Sequence, residues 1–156
     1  TVYGPWGRPD MAPMIFAKSM LNGEKLNIFN YGDMIRDFTF IDDVTETIFR
    51  CCYKPAIKVP ELKRTNYDPC ESFAPFRIFN VGNNNPVKLI EFINLLEENL
   101  GIKADKNFIE MQKGDVQITS SDSSSIYKWI DFSPKTNIEV GIKKFTTWYK
   151  NYYKNN

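Results

Sequence analysis

Apolar residues recur at the spacing of an α-helix in five segments of the chain. These segments predict helices over residues 10–21, 43–52, 85–100, 121–129 and 136–152. Asp10 is expected to cap the first helix, and Asp43 with Glu46 has the pattern of a capping box at the start of the second. Gly23 and Gly101 are expected to end the first and third helices.

Four segments between the helices have the short, apolar pattern of β-strands. They cover residues 26–29, 38–41, 76–81 and 106–111. Residues 54–75 contain four prolines and no periodicity, so we interpret this stretch as a loop or a family-variable insertion. The whole pattern is that of a helix-rich α/β chain with a few short strands.

The composition is that of one soluble globular domain, with 42% hydrophobic and 25% charged residues in 156. The net charge of +1 gives no general field that would attract nucleic acid or an anionic membrane. The apolar runs are far shorter than the roughly 20 residues that a membrane span requires. No signal peptide is visible and the cysteine count is odd, so we expect reduced thiols and a cytoplasmic protein.

Histidine is absent from the sequence. Its absence excludes the usual serine- and cysteine-hydrolase triads and most zinc sites. Cys51 and Cys52 are adjacent and Cys70 is distant, which is not the spacing of metal ligands. We therefore expect no metal site.

The most informative segment is residues 36–43, Arg-Asp-Phe-Thr-Phe-Ile-Asp-Asp. It places Arg36 beside strand residues and just before a helix, where a guanidinium can donate two parallel hydrogen bonds to a phosphoryl group. The alternative is an ordinary surface ion pair between Arg36 and Asp37 or Asp33. The residues alone leave both interpretations open.

A second segment, residues 1–11, has the order strand, glycine-proline loop, helix, which is how open α/β sheets form ligand crevices. Gly4 and Gly7 have the spacing of dinucleotide-binding glycines. We reject that interpretation because the third position is Asp10 and no complete strand–turn–helix surrounds it.

The third segment, residues 111–116, follows a predicted strand and reads Met-Gln-Lys-Gly-Asp-Val. The Asp115 carboxylate can accept hydrogen bonds from a ribose diol, and the Gln112 amide can donate to a phosphate or ribose oxygen. An ordinary solvated turn explains the same residues.

Together these segments resemble the extended short-chain dehydrogenase/reductase family of NAD-dependent epimerases and dehydratases, and within it the UDP-glucuronate 4-epimerases. The resemblance rests on the order and intervals of residues 1–11, 30–32, 36–43, 79–83 and 111–116. Apart from the variable loop over residues 54–75, it covers almost the whole chain. It implies the carboxy-terminal, substrate-binding part of an extended Rossmann-type fold.

The resemblance also implies a UDP-sugar as ligand. Arg36 would bind the diphosphate, and Asp115, with Gln112 beside it, would bind the ribose. Phe29 would lie against the uracil, and Thr1 would make a polar contact to the substrate.

By the same resemblance, Val2 lies where the chain passes the nicotinamide of NAD, the family's cofactor. Arg8 would pair with a sugar carboxylate, and a buried carboxylate requires a cation. Arg8 therefore favours interconversion of UDP-glucuronate and UDP-galacturonate at C4. The alternatives are UDP-glucuronate decarboxylation, dehydration of a sugar nucleotide, and a non-catalytic sugar-nucleotide-binding module.

The catalytic residues that the family uses are missing from the sequence. In the family a tyrosine with a nearby lysine removes the C4 hydroxyl proton as hydride passes to NAD. The chain has no Tyr-x-x-x-Lys and no complete glycine-rich loop. We therefore expect residues 1–156 to be one substrate-binding domain fragment, inactive alone, cut from a longer protein. The NAD-binding Rossmann domain and the helices of a homodimer interface would precede it.

Overall fold

The computed structural model describes residues 1–59 and 68–154. They contain helices α1 (Ala12–Asn22), α2 (Ile41–Tyr53), α3 (Leu89–Leu100), α4 (Ser124–Ile130) and α5 (Ile138–Lys154). The strands are β1 (Val2–Tyr3), β2 (Lys25–Ile28), β3 (Ile35–Arg36), β4 (Thr39–Phe40), β5 (Val87–Lys88) and β6 (Asp105–Phe108). The predicted helix-rich α/β class is confirmed, and the predicted loop over residues 54–75 lies partly outside the described residues.

The described strands form three separate pairs. β1 and β4 are parallel, with Val2 opposite Thr39. β2 and β6 are also parallel, and they end together with Ile28 opposite Phe108. β3 and β5 are antiparallel. Because parallel strands end at the same edge, the segments that follow β2 and β6 leave the sheet side by side.

One apolar core joins the helices to these strand pairs. Phe38 and Phe92 are stacked with 4.2 Å between their ring centroids, and Tyr3 meets Phe92 edge-on at 5.8 Å. Ile142 and Phe145 from α5 are fully buried in the same cluster. Burying one such side chain contributes about 1.5–3 kcal/mol. The core therefore fixes β1, and the chain around β4, against α3 and α5.

The first two helices, α1 and α2, start at residues other than those predicted. Met11 takes the N-cap position of α1 without a side-chain hydrogen bond, so Asp10 does not cap this helix. α2 begins two residues earlier than predicted, and Asp43 lies in its first turn. The Asp43 carboxylate instead accepts hydrogen bonds from the backbone amides of Lys135 and Thr136, at 3.1 and 2.8 Å. The Asp43 carboxylate therefore makes a tertiary contact instead of the helix cap that the local sequence predicts.

The third helix and one strand also differ from the prediction. α3 begins at Leu89 because the two residues before it form β5 against β3. Residues 76–81 form no strand, and only Arg77 bridges to Glu71. A strand needs neighbours for its backbone groups, and the described part of the chain offers this segment a single bridge. The predicted strand over 76–81 is therefore wrong.

Candidate functional site

Arg36 and Asp115 are 79 positions apart in sequence and lie together in the structure. Nη2 of Arg36 donates a hydrogen bond to Oδ1 of Asp115 at 3.0 Å. The Arg36 side chain is 14% exposed and the Asp115 side chain 35%, so the pair stands at a partly desolvated surface. Among the described residues, Arg36 makes no ion pair with Asp33 or Asp37, and its ion-pair partner is Asp115 instead. Its binding to a phosphate stays a prediction.

Backbone carbonyls orient the guanidinium of Arg36. Its Nη1 donates to the carbonyl oxygens of Ile35, at 3.0 Å, and Gln117, at 2.9 Å. A guanidinium has five N–H donors, and three are used once the bond to Asp115 is included. The two donors without a partner in the described part of the chain are on Nε and Nη2. These atoms form one edge of the planar group, and that edge suits two parallel hydrogen bonds to a phosphoryl group.

Residues 115–119 run parallel to β3. The amide of Ile35 donates to the carbonyl of Gln117 at 2.9 Å, and the amide of Thr119 donates to the carbonyl of Ile35 at 3.1 Å. The amide of Asp37 donates to Oγ1 of Thr119 at 3.2 Å. Backbone hydrogen bonds, and not the ion pair alone, therefore hold the carboxylate opposite the guanidinium.

Asp115 ends a turn that begins at Gln112. Its amide donates to the carbonyl of Gln112 at 3.2 Å, and Gly114 adopts a left-handed conformation with φ 85°. Oδ1 of Asp115 also accepts a hydrogen bond from the amide of Val116 at 2.8 Å. Oδ2 has no hydrogen-bond partner among the described residues. The turn is an ordinary one, yet it leaves a carboxylate oxygen free, and the exposed Gln112 side chain stands at its other end.

Phe29 stands at the carboxyl end of β2, beside the end of β6. It begins the 3-10 turn Phe29–Gly32 and is half-buried. The amide of Tyr31 in this turn donates to the carbonyl of Ile109 at 3.0 Å. Ile109 directly follows β6, so the turn is bonded to the segment that leads on to Gln112.

Thr1, Val2 and Arg8 form a second group around β1. The amide of Thr39 donates to the carbonyl of Thr1 at 2.9 Å. Val2 is 43% exposed, and it lines a pocket of about 310 Å³ together with Arg8. The Arg8 side chain is 73% exposed, with its Nε 3.3 Å from Oδ1 of Asp10. Its Nη2 also donates a hydrogen bond to Sδ of Met11 at 3.3 Å. Arg8 therefore borders a pocket, and its side-chain contacts are exposed ones to neighbouring residues in sequence.

β4 links the two groups. β3 ends at Arg36 and β4 begins at Thr39, so the pairing of β1 with β4 sets the position of Thr1 and Val2 relative to the guanidinium. The structure brings Arg36 and Asp115 together with the turn that begins at Gln112, and it places Phe29 at the end of β2, beside the end of β6. Within residues 1–59 and 68–154, no hydrogen bond or ion pair joins Arg8 to the Arg36–Asp115 pair.

Comparison with known proteins shows which family this chain resembles. The model of the NAD dependent epimerase/dehydratase family matches residues 1–63. Protein CapI of Staphylococcus aureus is 46% identical over 154 residues, and UDP-glucuronate 4-epimerase 4 of Arabidopsis thaliana is 39% identical over 157 residues. The chain is therefore similar to this family over residues 1–63, and to individual epimerases over nearly its whole length. These alignments cover 99% and 98% of the chain but 46% and 35% of the relatives, so the chain spans less than half of either.

Solved structures of epimerase-family proteins confirm the fold. UDP-glucuronic acid 4-epimerase from Bacillus cereus, in complex with UDP-glucuronic acid and NAD, matches with a TM-score of 0.78 at 28% identity. This match covers 98% of the present chain and 44% of the Bacillus chain. The chain has the fold of the carboxy-terminal part of an extended, Rossmann-type short-chain dehydrogenase/reductase, and NAD is the cofactor of the family.

Gly4 and Gly7 lie close against other parts of the protein. Gly4 has φ 140°, and a Cβ added to it would clash with the Ile41 side chain. A Cβ added to Gly7 would lie 3.3 Å from the carbonyl oxygen of Gly4 and 3.4 Å from the side chain of Met14. These glycines make room for the protein's own packing, in agreement with their rejection as a dinucleotide-binding pair. The assignment of Val2 to the nicotinamide stays a prediction.

Two tyrosines of the chain have pKa values shifted in the direction opposite to that of a catalytic base. Burial, reinforced by the charges of Asp43 and Glu139, raises the pKa of Tyr3. The Tyr3 hydroxyl donates to the carbonyl of Ile138 at 3.4 Å. Burial also raises the pKa of Tyr149. A tyrosine base requires a pKa brought down toward neutrality, so neither residue is suited to the proton abstraction of the family.

The described residues hold no group of three or more Cys, Asp or Glu side chains placed to bind a metal ion. Cys51, Cys52 and Cys70 are free thiols. Every helix described is too short or too polar to cross a membrane.

Sequence reasoning missed the role of Asp37, which is buried beneath the site at 3% exposure. Its carboxylate accepts a hydrogen bond from the amide of Asn84 at 3.1 Å. A Cβ added to Gly82 would lie 2.9 Å from the same carboxylate. Asp37 therefore fastens the loop over residues 82–85 to the strand that ends at Arg36. No local pattern could reveal this, because 47 positions separate the partners.

Proposed function

We propose that this chain is the UDP-sugar-binding part of an NAD-dependent epimerase that interconverts UDP-glucuronate and UDP-galacturonate at C4. One observation carries the proposal: the Arg36–Asp115 pair leaves two guanidinium N–H donors, on Nε and Nη2, and one carboxylate oxygen without partners among the described residues. A nucleoside diphosphate offers the complementary groups close together, phosphoryl oxygens for the first and a ribose diol for the second. Similarity to the Bacillus epimerase in complex with UDP-glucuronic acid and NAD supports this choice of ligand.

The proposed nucleotide contacts use the groups that the Arg36–Asp115 pair leaves without partners among the described residues. Arg36 donates two hydrogen bonds to the diphosphate, and Oδ2 of Asp115 accepts from the ribose. Gln112, at the start of the same turn, donates its amide to a ribose or phosphate oxygen. Phe29, at the adjacent strand end, packs its ring against the uracil. The guanidinium and the carboxylate already hold each other at 3.0 Å, so little ordering is required when the ligand binds.

The group around β1, formed by Thr1, Val2 and Arg8, binds the sugar end of the ligand. Arg8 pairs with the sugar carboxylate, which needs a cation once it leaves water. The ion-pair partner of Arg8 is the exposed Asp10, and exposed ion pairs are weak enough to be exchanged. Thr1 supplies a polar contact to the substrate, and Val2 lies along the nicotinamide. Arg8 is the reason for proposing a uronic acid rather than a neutral hexose.

The catalytic residues are assigned to a part of the protein outside residues 1–156. An amino-terminal Rossmann domain would hold NAD, which carries the hydride chemistry of the family. This chain would bind and orient the UDP-sugar, would be inactive alone, and would contribute no catalytic residue. A cytoplasmic location and a homodimer formed through helices outside this chain belong to the same proposal.

Binding of UDP to the protein that contains this chain tests the nucleotide site. Arg36→Ala is expected to weaken binding by about 2–4 kcal/mol in calorimetry, because a charge-assisted, bidentate contact is lost. Arg50→Ala is the matched control, since it removes an arginine from an exposed ion pair with Glu46 on α2. That variant should bind UDP as the wild type does. Equal affinity of Arg36→Ala and wild type would contradict the proposal.

The reaction itself is tested by incubating the same protein with a panel of UDP-sugars and determining the products by NMR. UDP-galacturonate formed from UDP-glucuronate is the expected result. A pentose product would indicate decarboxylation, and a deoxy-keto sugar would indicate dehydration. Binding without turnover of any sugar in the panel would identify a non-catalytic module.

A further inference from the structure

We infer that Asp33 and Gln117 form a clasp that positions the Arg36–Asp115 pair for its ligand. Nε2 of Gln117 donates a hydrogen bond to Oδ2 of Asp33 at 2.7 Å. The inference rests on the proposed function, because it concerns the same nucleotide site. It assigns a positioning role to two side chains that do not themselves touch the ligand.

Gln117 is bonded to the strand of the site through its backbone as well as through its side chain. Its carbonyl accepts hydrogen bonds from the amide of Ile35 at 2.9 Å and from Nη1 of Arg36 at 2.9 Å. The orientation of this one carbonyl therefore fixes both the register of the segment and the rotation of the guanidinium. The side-chain bond to Asp33 restrains that orientation by adding a second point of attachment.

Asp33 is a firm support for this bond. Its amide donates to the carbonyl of Asn30 at 2.8 Å, and its carbonyl accepts from Nδ2 of Asn30 at 2.7 Å. Asn30 belongs to the turn that Phe29 begins after β2. The clasp thus joins two parts of the proposed site. One is the turn that begins at Phe29, the proposed uracil contact, and the other is the segment that follows Asp115, the proposed ribose contact.

The location of the clasp argues for a role in binding rather than in overall stability. Both residues are exposed, and an isolated hydrogen bond at the surface adds little to the stability of a fold. A bond to a carboxylate is nevertheless stronger than one between neutral groups. Here it limits the motion of a loop whose Asp115 must meet Arg36 at 3.0 Å. Restricting a binding loop to its bound geometry raises affinity by lowering the entropy lost on binding.

Substitutions that exchange the carboxylate of Asp33 and the amide of Gln117 test the inference. They are made in the protein that contains this chain. Gln117→Ala and Gln117→Glu should both weaken UDP binding by about 5- to 20-fold, the second because two carboxylates then face each other. Asp33→Asn should weaken UDP binding less than either Gln117 variant, since its amide oxygen still accepts from Gln117 but lacks the charge of the carboxylate. The double variant Asp33→Asn with Gln117→Glu should recover affinity, because an amide again donates to a carboxylate.

Kinetics with the UDP-sugar should show a higher KM and an unchanged kcat for Gln117→Ala, because the clasp acts on the nucleotide and not on the reacting sugar. Asn107→Ala is a matched control. Nδ2 of Asn107 donates to Oδ1 of Asn27 at 2.8 Å, an exposed hydrogen bond across the β2–β6 pair and outside the site. It should leave both constants unchanged.

The outcomes separate this inference from the proposal on which it rests. If Arg36→Ala weakens UDP binding while Gln117→Ala and Gln117→Glu bind as the wild type does, the clasp has no positioning role and the proposed function stands. If the double variant stays as weak as Gln117→Glu, the hydrogen bond is not the cause and the inference is overturned. If Arg36→Ala does not weaken UDP binding, the proposed nucleotide site is wrong, and the clasp inference that rests on it is overturned as well.

Discussion

Glu97 provides a test of how buried charge stabilises this fold. It lies on α3 and is 3% exposed. Its carboxylate is 2.8 Å from Nζ of Lys103 and 2.7 Å from Nζ of Lys106, and it accepts a hydrogen bond from the amide of Ala104 at 3.0 Å. This network ties the carboxyl end of α3 to β6. Glu97→Gln keeps the shape of the side chain and removes its charge.

The magnitude follows from the pKa of Glu97. Burial alone raises this pKa, but hydrogen bonds from Lys103, Lys106 and the amide of Ala104 outweigh burial and lower it from 4.5 to about 2. One pKa unit corresponds to about 1.36 kcal/mol, so ionised Glu97 contributes about 3 kcal/mol to folding at neutral pH. Because the pKa is lower in the folded state, this contribution is complete above pH 4.5 and is lost as the pH falls toward 2.

Urea denaturation of the purified protein, followed by tryptophan fluorescence, measures the effect. At neutral pH, the free energy of unfolding of Glu97→Gln should be lower than that of the wild type by about 3 kcal/mol. At about pH 3, this difference between the two proteins should be smaller. Glu98→Gln, the same substitution at the exposed next position of α3, should change stability by less than about 0.5 kcal/mol. A deficit for Glu97→Gln that is equally large at both pH values would refute the electrostatic explanation.

Three further predictions address packing, capping and specificity. Gly141→Ala should lower the free energy of unfolding by about 1–3 kcal/mol, because the added methyl would clash with the Tyr3 hydroxyl; a stabilised variant in thermal denaturation would contradict this. Asp43→Ala should cost about 1–3 kcal/mol by leaving the amide of Thr136 unpaired, and urea denaturation should show a smaller loss for Asp43→Asn. Arg8→Ala should weaken calorimetric binding of UDP-glucuronate more than that of UDP-glucose; equal losses would remove the argument for a carboxylate.

Much of the candidate site could be proposed from the sequence, because its residues follow directly on strands that the apolar pattern reveals. Phe29 stands at the end of β2, and Gln112 and Asp115 follow soon after β6. The parallel pairing of these strands brings their ends together. The roles of these residues toward a UDP-sugar, and those of the group around β1, remain predictions.

Local signals failed wherever a distant partner competed for the same group. Asp43 has the pattern of a helix cap, yet its carboxylate bonds to amides 92 and 93 positions away. The segment over residues 76–81 has the composition of a strand, but the described residues give it only the bridge from Arg77 to Glu71. A strand depends on its neighbours for hydrogen bonds, so its residues alone cannot decide whether it forms.

The sequence by itself determined the helix-rich α/β class, most helix and strand positions, and the resemblance that identifies the family. Periodicity and short motifs express constraints between residues that are near in the chain, and such constraints can be read in one dimension. Only the tertiary structure decided that the partner of Arg36 is Asp115, that Asp37 supports the loop over residues 82–85, and that Gln117 reaches Asp33. Each of these contacts joins segments many positions apart, and only the packing of the whole core determines which charged groups meet.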